Sequence, residues 1–117
     1  MKKLILIFLL IVSSIVAREL IDPSKFDGSN KMKKEVIVYI QENTKQTYKK
    51  IGMNDATTLR AMEEVDLNAF KELTKVKDIT LLHRTIKTYC NIGMCDYQTI
   101  LNMYQEEKKA SKKELKW

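Results

Sequence analysis

Few residues in this sequence have the types and spacing that chemistry needs. His83 is the only histidine, and no acidic residue lies three or four positions from it. Zinc-binding spacings and the G-x-S-x-G turn of serine hydrolases are both absent from the sequence. The adjacent pairs Glu63-Glu64 and Glu106-Glu107 would point about 100° apart on a helix, which does not make an acid/base pair. We therefore expect no catalytic residue, no metal ligand and no cofactor, and a structural role for His83.

The two cysteines, Cys90 and Cys95, favour a disulfide bond over redox or metal chemistry. Their spacing differs from the C-x-x-C of thiol oxidoreductases, and a close, even pair forms a bond in an oxidising compartment. Closing so short a loop would stabilise the fold by about 2 kcal/mol on the chain-entropy model. We predict a disulfide that stabilises one turn.

One nine-residue stretch occurs twice, 41 residues apart. Residues 47–55 read Thr-Tyr-Lys-Lys-Ile-Gly-Met-Asn-Asp, residues 88–96 read Thr-Tyr-Cys-Asn-Ile-Gly-Met-Cys-Asp, and six of the nine positions are identical. Because about 40 residues make one helical hairpin, the sequence predicts two hairpin repeats in tandem. The repeated positions with the clearest roles are Tyr48, Gly52, Asp55, Tyr89, Gly93 and Asp96.

Each copy of this motif has the residues of a joint between two helices. The glycine suits a left-handed residue after a helix, and the Ile and Met beside it suit the apolar contacts of a helix C-terminus. The aspartate suits the N-cap of the next helix. The tyrosine suits the last turn of the preceding helix, where its ring packs inward and its hydroxyl remains exposed to solvent. A paired ligand site built from Tyr and Asp of both copies is the functional alternative. Since every repeated position has a structural task, we favour duplication of a joint.

Apolar residues recur at helical spacing along the chain and predict an all-α fold. The first helix should begin near Ser29 or Asn30, and Asp78 should cap a later one. We expect a small bundle of four to five helices, with residues 55–76 forming one bent helix or two short ones. The predicted inner faces include Met32, Val36, Ile40, Tyr48 and Ile51, then Leu59, Met62, Leu67, Phe70, Leu73 and Val76, then Ile79, Leu82, Ile86 and Tyr89, and finally Ile100 and Met103.

The N-terminal segment has the pattern of a signal peptide. Lys2 and Lys3 precede an apolar run, and Ser13, Ser14 and Ala17 supply the small residues of a cleavage region, with cleavage expected after Ala17. An uncleaved membrane anchor is the alternative, although the run is shorter than the roughly 20 residues that cross a bilayer. We divide the chain into a signal peptide (1–17), an arm (18–28), one helical domain (29–112) and a charged tail (113–117). Within the domain, repeat one covers about 29–76 and repeat two about 77–112.

The chain is basic, with 21 Lys and Arg against 15 Asp and Glu. Charges of both signs are interspersed, which favours solubility over any one partner. Two lysine groups could nevertheless meet an anionic surface of lipid or nucleic acid. They are Lys31, Lys33 and Lys34 in the first helix, and Lys108, Lys109, Lys112 and Lys113 in the last.

The sequence favours a small exported protein, periplasmic or secreted, that acts through its surface as a protein-binding module with an unidentified partner. A specific form is an inhibitor or immunity-type protein that blocks an enzyme in the cell envelope. Binding to an anionic surface is the alternative. An enzyme with a pocket between the two hairpins is less favoured, and its candidate residues are Tyr48, Tyr89 and His83. Convergence of those three side chains on one cleft would support it.

Overall fold

Every α-helix in residues 19–117 begins at a side chain that accepts a hydrogen bond from the helix's first turn. The computed structural model describes residues 19–117. A 3-10 turn (Pro23–Lys25) precedes the helices α1 (Asn30–Lys49), α2 (Ala56–Leu73), α3 (Ile79–Asn91) and α4 (Tyr97–Ser111). Their caps are Ser29, Asp55, Asp78 and Asp96, each bonded to the N–H three residues on. Residues 19–117 contain no strand, so the predicted all-α bundle is confirmed.

The predicted signal peptide (1–17) lies outside the described residues and remains a prediction. From residue 19 onward, no helix is both long and apolar enough to cross a membrane.

Helix α2 is the centre of the bundle. It contacts α1, α4 and the 3-10 turn, while α3 packs on α4. Because α4 begins beside Asp66 and has Lys108 near Asp78, it runs parallel to α2. The first joint (residues 48–55) and the second joint (residues 89–96) therefore lie toward the same end of the bundle. Ten residues of α2 precede Asp66, so the first joint extends about 15 Å beyond the second.

An aromatic cluster forms the middle of the core, with one ring from the arm and one from each of three helices. Phe26 packs edge-on against Phe70 at 5.3 Å between ring centroids, and Phe70 packs against Tyr97 at 4.9 Å. Tyr39 completes the series at 5.6 Å from Tyr97. Edge-to-face packing is a favoured aromatic geometry, and here it ties the arm, α1, α2 and α4 together.

Most of the predicted inner positions are buried or half-buried, but two are exposed. Ile51 is 63% exposed and Ile79 is 38% exposed. Both lie at ends of helices: Ile51 follows α1 and Ile79 begins α3, where no facing helix covers them.

Residues 56–73 form one continuous helix, so the region 55–76 is not divided into two short helices. Asp66 lies in the middle of this helix, and its side chain is buried.

Replacing the glycine of either joint should cost stability through backbone strain alone. Gly52 and Gly93 have φ of +74° and +81°, and an added Cβ would meet no heavy atom within 4 Å. Gly52→Ala and Gly93→Ala should each lower the free energy of unfolding by about 1 kcal/mol, measured by urea denaturation. The Asn variants should lose less, because asparagine tolerates the left-handed region. Unchanged stability in both Ala variants would contradict this account, and Gln41→Ala on the surface of α1 serves as the control.

Candidate functional site

The two joints have the same backbone hydrogen bonds. In the first, the N–H of Met53 donates to the C=O of Tyr48 at 3.0 Å, and the N–H of Gly52 donates to Lys49. In the second, the N–H of Met94 donates to the C=O of Tyr89 at 2.9 Å, and the N–H of Gly93 donates to Cys90. This pair of bonds around a left-handed glycine is a Schellman motif, which satisfies the last carbonyls of a helix.

The aspartates of the two joints also have matching roles. Asp55 accepts bonds from the N–H and the hydroxyl of Thr58, and Asp96 accepts the same two bonds from Thr99. Their predicted positions as helix caps are therefore observed. Because the joints are offset by about 15 Å along the bundle, Tyr48 and Asp55 do not share a site with Tyr89 and Asp96.

The Ile and Met of each joint are exposed in both copies. Ile51 and Ile92 are each 63% exposed, while Met53 is 48% and Met94 is 46% exposed. We expected these side chains to make apolar contacts at the helix ends. The covered part of each side chain fits that role, but the exposed part does not. The Schellman bonds use the backbone of Met53 and Met94, and any residue except proline supplies the same N–H. Two large apolar side chains in each joint are therefore about half exposed or more, at equivalent positions of the repeat.

The second joint has a disulfide and a hydrogen bond to α1 in addition to the bonds that the two joints share. A disulfide joins Cys90 to Cys95 and encloses Ile92 and Met94 in its loop. The hydroxyl of Tyr39 in α1 donates to the C=O of Cys95 at 2.6 Å, which fixes this loop against α1. In the first joint, Lys49 and Asn54 take the cysteine positions. The same backbone geometry therefore forms with and without the disulfide.

A groove of about 700 Å³ lies between α1, α3 and the arm, beside the second joint. It exists because α1 and α3 make no extended contact with each other. Its walls are mixed in character, with Tyr39 and Ile86 next to charged side chains. His83 lines the groove, but Tyr48 and Tyr89 do not. The three residues proposed for an enzyme site are therefore not brought together.

His83 forms a cluster with Asp22 and Ser24 of the arm, which sequence reasoning missed because about 60 residues separate them. Its Nε2 lies 2.8 Å from Asp22 Oδ2 and 3.1 Å from Ser24 Oγ, while the serine hydroxyl donates to Asp22 Oδ1 at 2.8 Å. A catalytic triad uses the two different ring nitrogens for acid and nucleophile. Here both partners meet Nε2, so the cluster fastens the arm to α3 and does not activate Ser24.

Burial raises the pKa of Asp22, but the bonds from Ser24 and the nearby His83 outweigh it and leave that pKa below its ordinary value. The arm is also held by Tyr97, whose hydroxyl accepts from the N–H of Ile21 at 3.0 Å and donates to its C=O at 2.8 Å. The arm is thus part of the folded body.

Asp66 is the one carboxylate in the buried core among the residues described. It is 4% exposed, and its Oδ1 accepts from the N–H of Gln98 at 2.9 Å, in the first turn of α4. Within residues 19–117, Oδ2 has no hydrogen-bond partner. Burial raises the pKa of Asp66 to about 6, the negative charge of Asp96 adds to this, and the N–H groups of α4 oppose it.

The two lysine groups lie at the end of the bundle opposite the joints, since α1 begins there and α4 ends there. Carboxylates accompany several of them. Lys31 is 4.0 Å from Glu35, Lys108 is 3.7 Å from Asp78, and Lys109 is 3.5 Å from Glu106. These contacts reduce the positive charge that an anionic surface would meet.

Comparison with protein-family models, curated proteins and solved structures gave no significant match. Within the described part of the chain, no group of three or more His, Cys, Asp or Glu side chains is arranged to hold a metal ion.

The raised pKa of Asp66 predicts a protein that is more stable at pH 5 than at pH 7. The folded state binds this proton more tightly than the unfolded state, so the contribution is complete below about pH 4 and is lost as pH rises through about 6. We expect the free energy of unfolding to fall by about 1 kcal/mol between pH 5 and pH 7, measured by urea denaturation.

Asp66→Asn should flatten this pH dependence. Asp27→Asn should not, because that carboxylate is exposed and has a lowered pKa, so it acts only at lower pH. An equal slope in Asp66→Asn and the parent protein would contradict the assignment.

Proposed function

We propose that this protein is exported and binds a partner protein through the joint surface, which consists of Ile51, Met53, Ile92 and Met94. The observation that supports the proposal is that these four side chains are exposed at equivalent places in both joints. The glycines and aspartates of the joints have clear structural roles, whereas the exposed part of each Ile and Met has none in the fold. The two joints lie toward the same end of the bundle, and an offset of about 15 Å is within the span of one protein–protein interface.

The joint surface is well suited to hold a partner without large rearrangement. Schellman bonds and aspartate caps fix the backbone of both joints, and the disulfide closes the loop that bears Ile92 and Met94. A surface fixed before binding loses less entropy in the complex. Methionine adds an adaptable side chain that fits irregular apolar surfaces.

The groove between α1 and α3 extends the joint surface with polar groups. Its lining includes Asn43 and Gln46 of α1, the helix that leads to the first joint, and Cys95 of the second joint. A segment of the partner seated here would find hydrogen-bonding groups between two apolar contacts. Interfaces commonly combine an apolar centre with polar groups at the rim.

Paired loss of the two isoleucines tests the proposal. Ile51→Asn with Ile92→Asn should abolish cross-linking to a partner in the native envelope, identified by mass spectrometry after capture by the parent protein. The control is Val65→Asn with Ile79→Asn, which removes two other exposed apolar side chains and should leave capture intact. All three proteins should be folded by circular dichroism, because these positions lie at the surface. Equal capture of the same partner by both double variants would refute the joint surface.

An inhibitor or immunity-type role is a finer form of this proposal. It requires the captured partner to be an enzyme. That enzyme should lose activity on addition of the parent protein and retain it with the Ile51/Ile92 double variant.

Export is supported by the N-terminal pattern of residues 1–17 and by the disulfide, which is typical of oxidising compartments. Mass spectrometry of the protein from its native envelope should give a chain that begins at Arg18 and lacks two hydrogens. A chain that keeps residues 1–17, or one with two free thiols, would contradict the expected processing.

A further inference from the structure

A second groove, of about 350 Å³, lies between α1 and α2 at the end opposite the joint surface. Its walls include the buried side chains Val36 and Phe70 and the half-buried Phe26 and Leu67. Ile37 stands at its edge and is 43% exposed, so the apolar surface continues out to solvent. Such a volume is at the lower end of the range for small-molecule sites.

The groove is apolar at one end and basic at the other. Lys33 lies one turn before Ile37 in α1, and Lys71 lies one turn after Leu67 in α2. Because α1 and α2 are antiparallel neighbours, both lysines fall at the same end of the groove and both aliphatic side chains at the other. The groove thus has the polarity of a molecule with one charged end.

The charge of these two lysines is available to a ligand. Within residues 19–117, neither Lys33 nor Lys71 has a carboxylate in ion-pair range, whereas their neighbours Lys31 and Lys75 contact Glu35 and Glu72. No acidic residue lines the groove. An anionic head would therefore be attracted at this end, and a cationic one repelled.

From these observations we propose that the groove binds a single-chain anionic amphiphile, a fatty-acid carboxylate, with its chain against Ile37, Phe70 and Leu67 and its head between Lys33 and Lys71. From Lys71 to Leu67 the groove runs about 6 Å along α2, the extended length of about five carbons, so a chain of medium length is long enough to cover Leu67. This site is separate from the joint surface and does not depend on a partner protein.

The test uses protein expressed from the full 117-residue chain and labelled with nitrogen-15. Decanoate, far below its micelle-forming concentration, should shift the amide signals of α1 and α2 around the groove and reach saturation at one equivalent. Decyltrimethylammonium has the same chain with a cationic head and should bind at least about fivefold more weakly. Equal binding of the two would overturn the proposal, because it would show apolar adsorption without head-group recognition.

Matched variants locate the binding. Lys33→Gln with Lys71→Gln should weaken decanoate binding at least about fivefold, whereas Lys31→Gln with Lys75→Gln should change it by less than about twofold. Ile37→Asn should weaken it, and Ile79→Asn, with a similar exposed fraction, should not. These are surface positions, so circular dichroism should show all variants folded. If both lysine double variants lost the same decanoate affinity, the lysines would act only through long-range electrostatic attraction, and the proposed site would be wrong.

Vesicles separate a monomeric ligand from a membrane surface. If the protein binds phosphatidylglycerol vesicles but decanoate gives no saturable shifts, the basic end is a membrane-contact surface and the proposed site is wrong. If decanoate saturates the groove and competes with any vesicle binding, the proposal stands.

Discussion

The hydrogen bonding of buried Asp66 to the first turn of α4 is the interaction on which the arrangement of the other elements depends. A carboxylate in an apolar core is costly, and the helix N-terminus offsets much of that cost with N–H donors and the positive end of its dipole. Once α4 is fixed there, Tyr97 lies within the aromatic cluster and bonds both backbone groups of Ile21. The arm, α2 and α4 are thus joined around a single charged group whose Oδ2 lacks a partner within the described residues.

The repeated motif divides into a part that the fold needs and a part that it does not. Glycine permits the left-handed residue, aspartate caps the next helix, and both have the same bonds in the two joints. Isoleucine and methionine are exposed in both, although nothing in the backbone geometry requires them. Equivalent geometry is what duplication of a hairpin would leave, but that geometry does not itself require exposed apolar side chains. This difference is why the exposed pairs, and not the caps, support partner binding.

The two ends of the bundle differ in chemical character. The joint end presents isolated aliphatic and thioether side chains on rigid turns. The opposite end has lysines from the start of α1 and the ends of α2 and α4, interspersed with carboxylates, around an apolar groove. Lysines in the first turns of α1 oppose the helix dipole, so their position is unfavourable for that helix by itself. A bound anion would relieve that repulsion.

The sequence by itself determined the local features: four to five helices, caps at Asp55, Asp78, Asp96 and at Ser29 or Asn30, the left-handed glycines and the disulfide partners. Each rests on residues a few positions apart, whose preferences are expressed in any helical context. The structure decided that the helices number four in residues 19–117 and that Ser29 is the first cap. Only the tertiary structure decided which apolar residues are covered, because burial depends on a facing helix that the ends of the bundle lack. It also decided the contacts of Asp66 with α4 and of His83 with the arm, since those partners lie 32 and about 60 residues away in sequence and no local pattern specifies them. The difference is one of sequence separation. Residues a few positions apart determine each helix and turn, whereas contacts between distant residues determine which surfaces remain exposed.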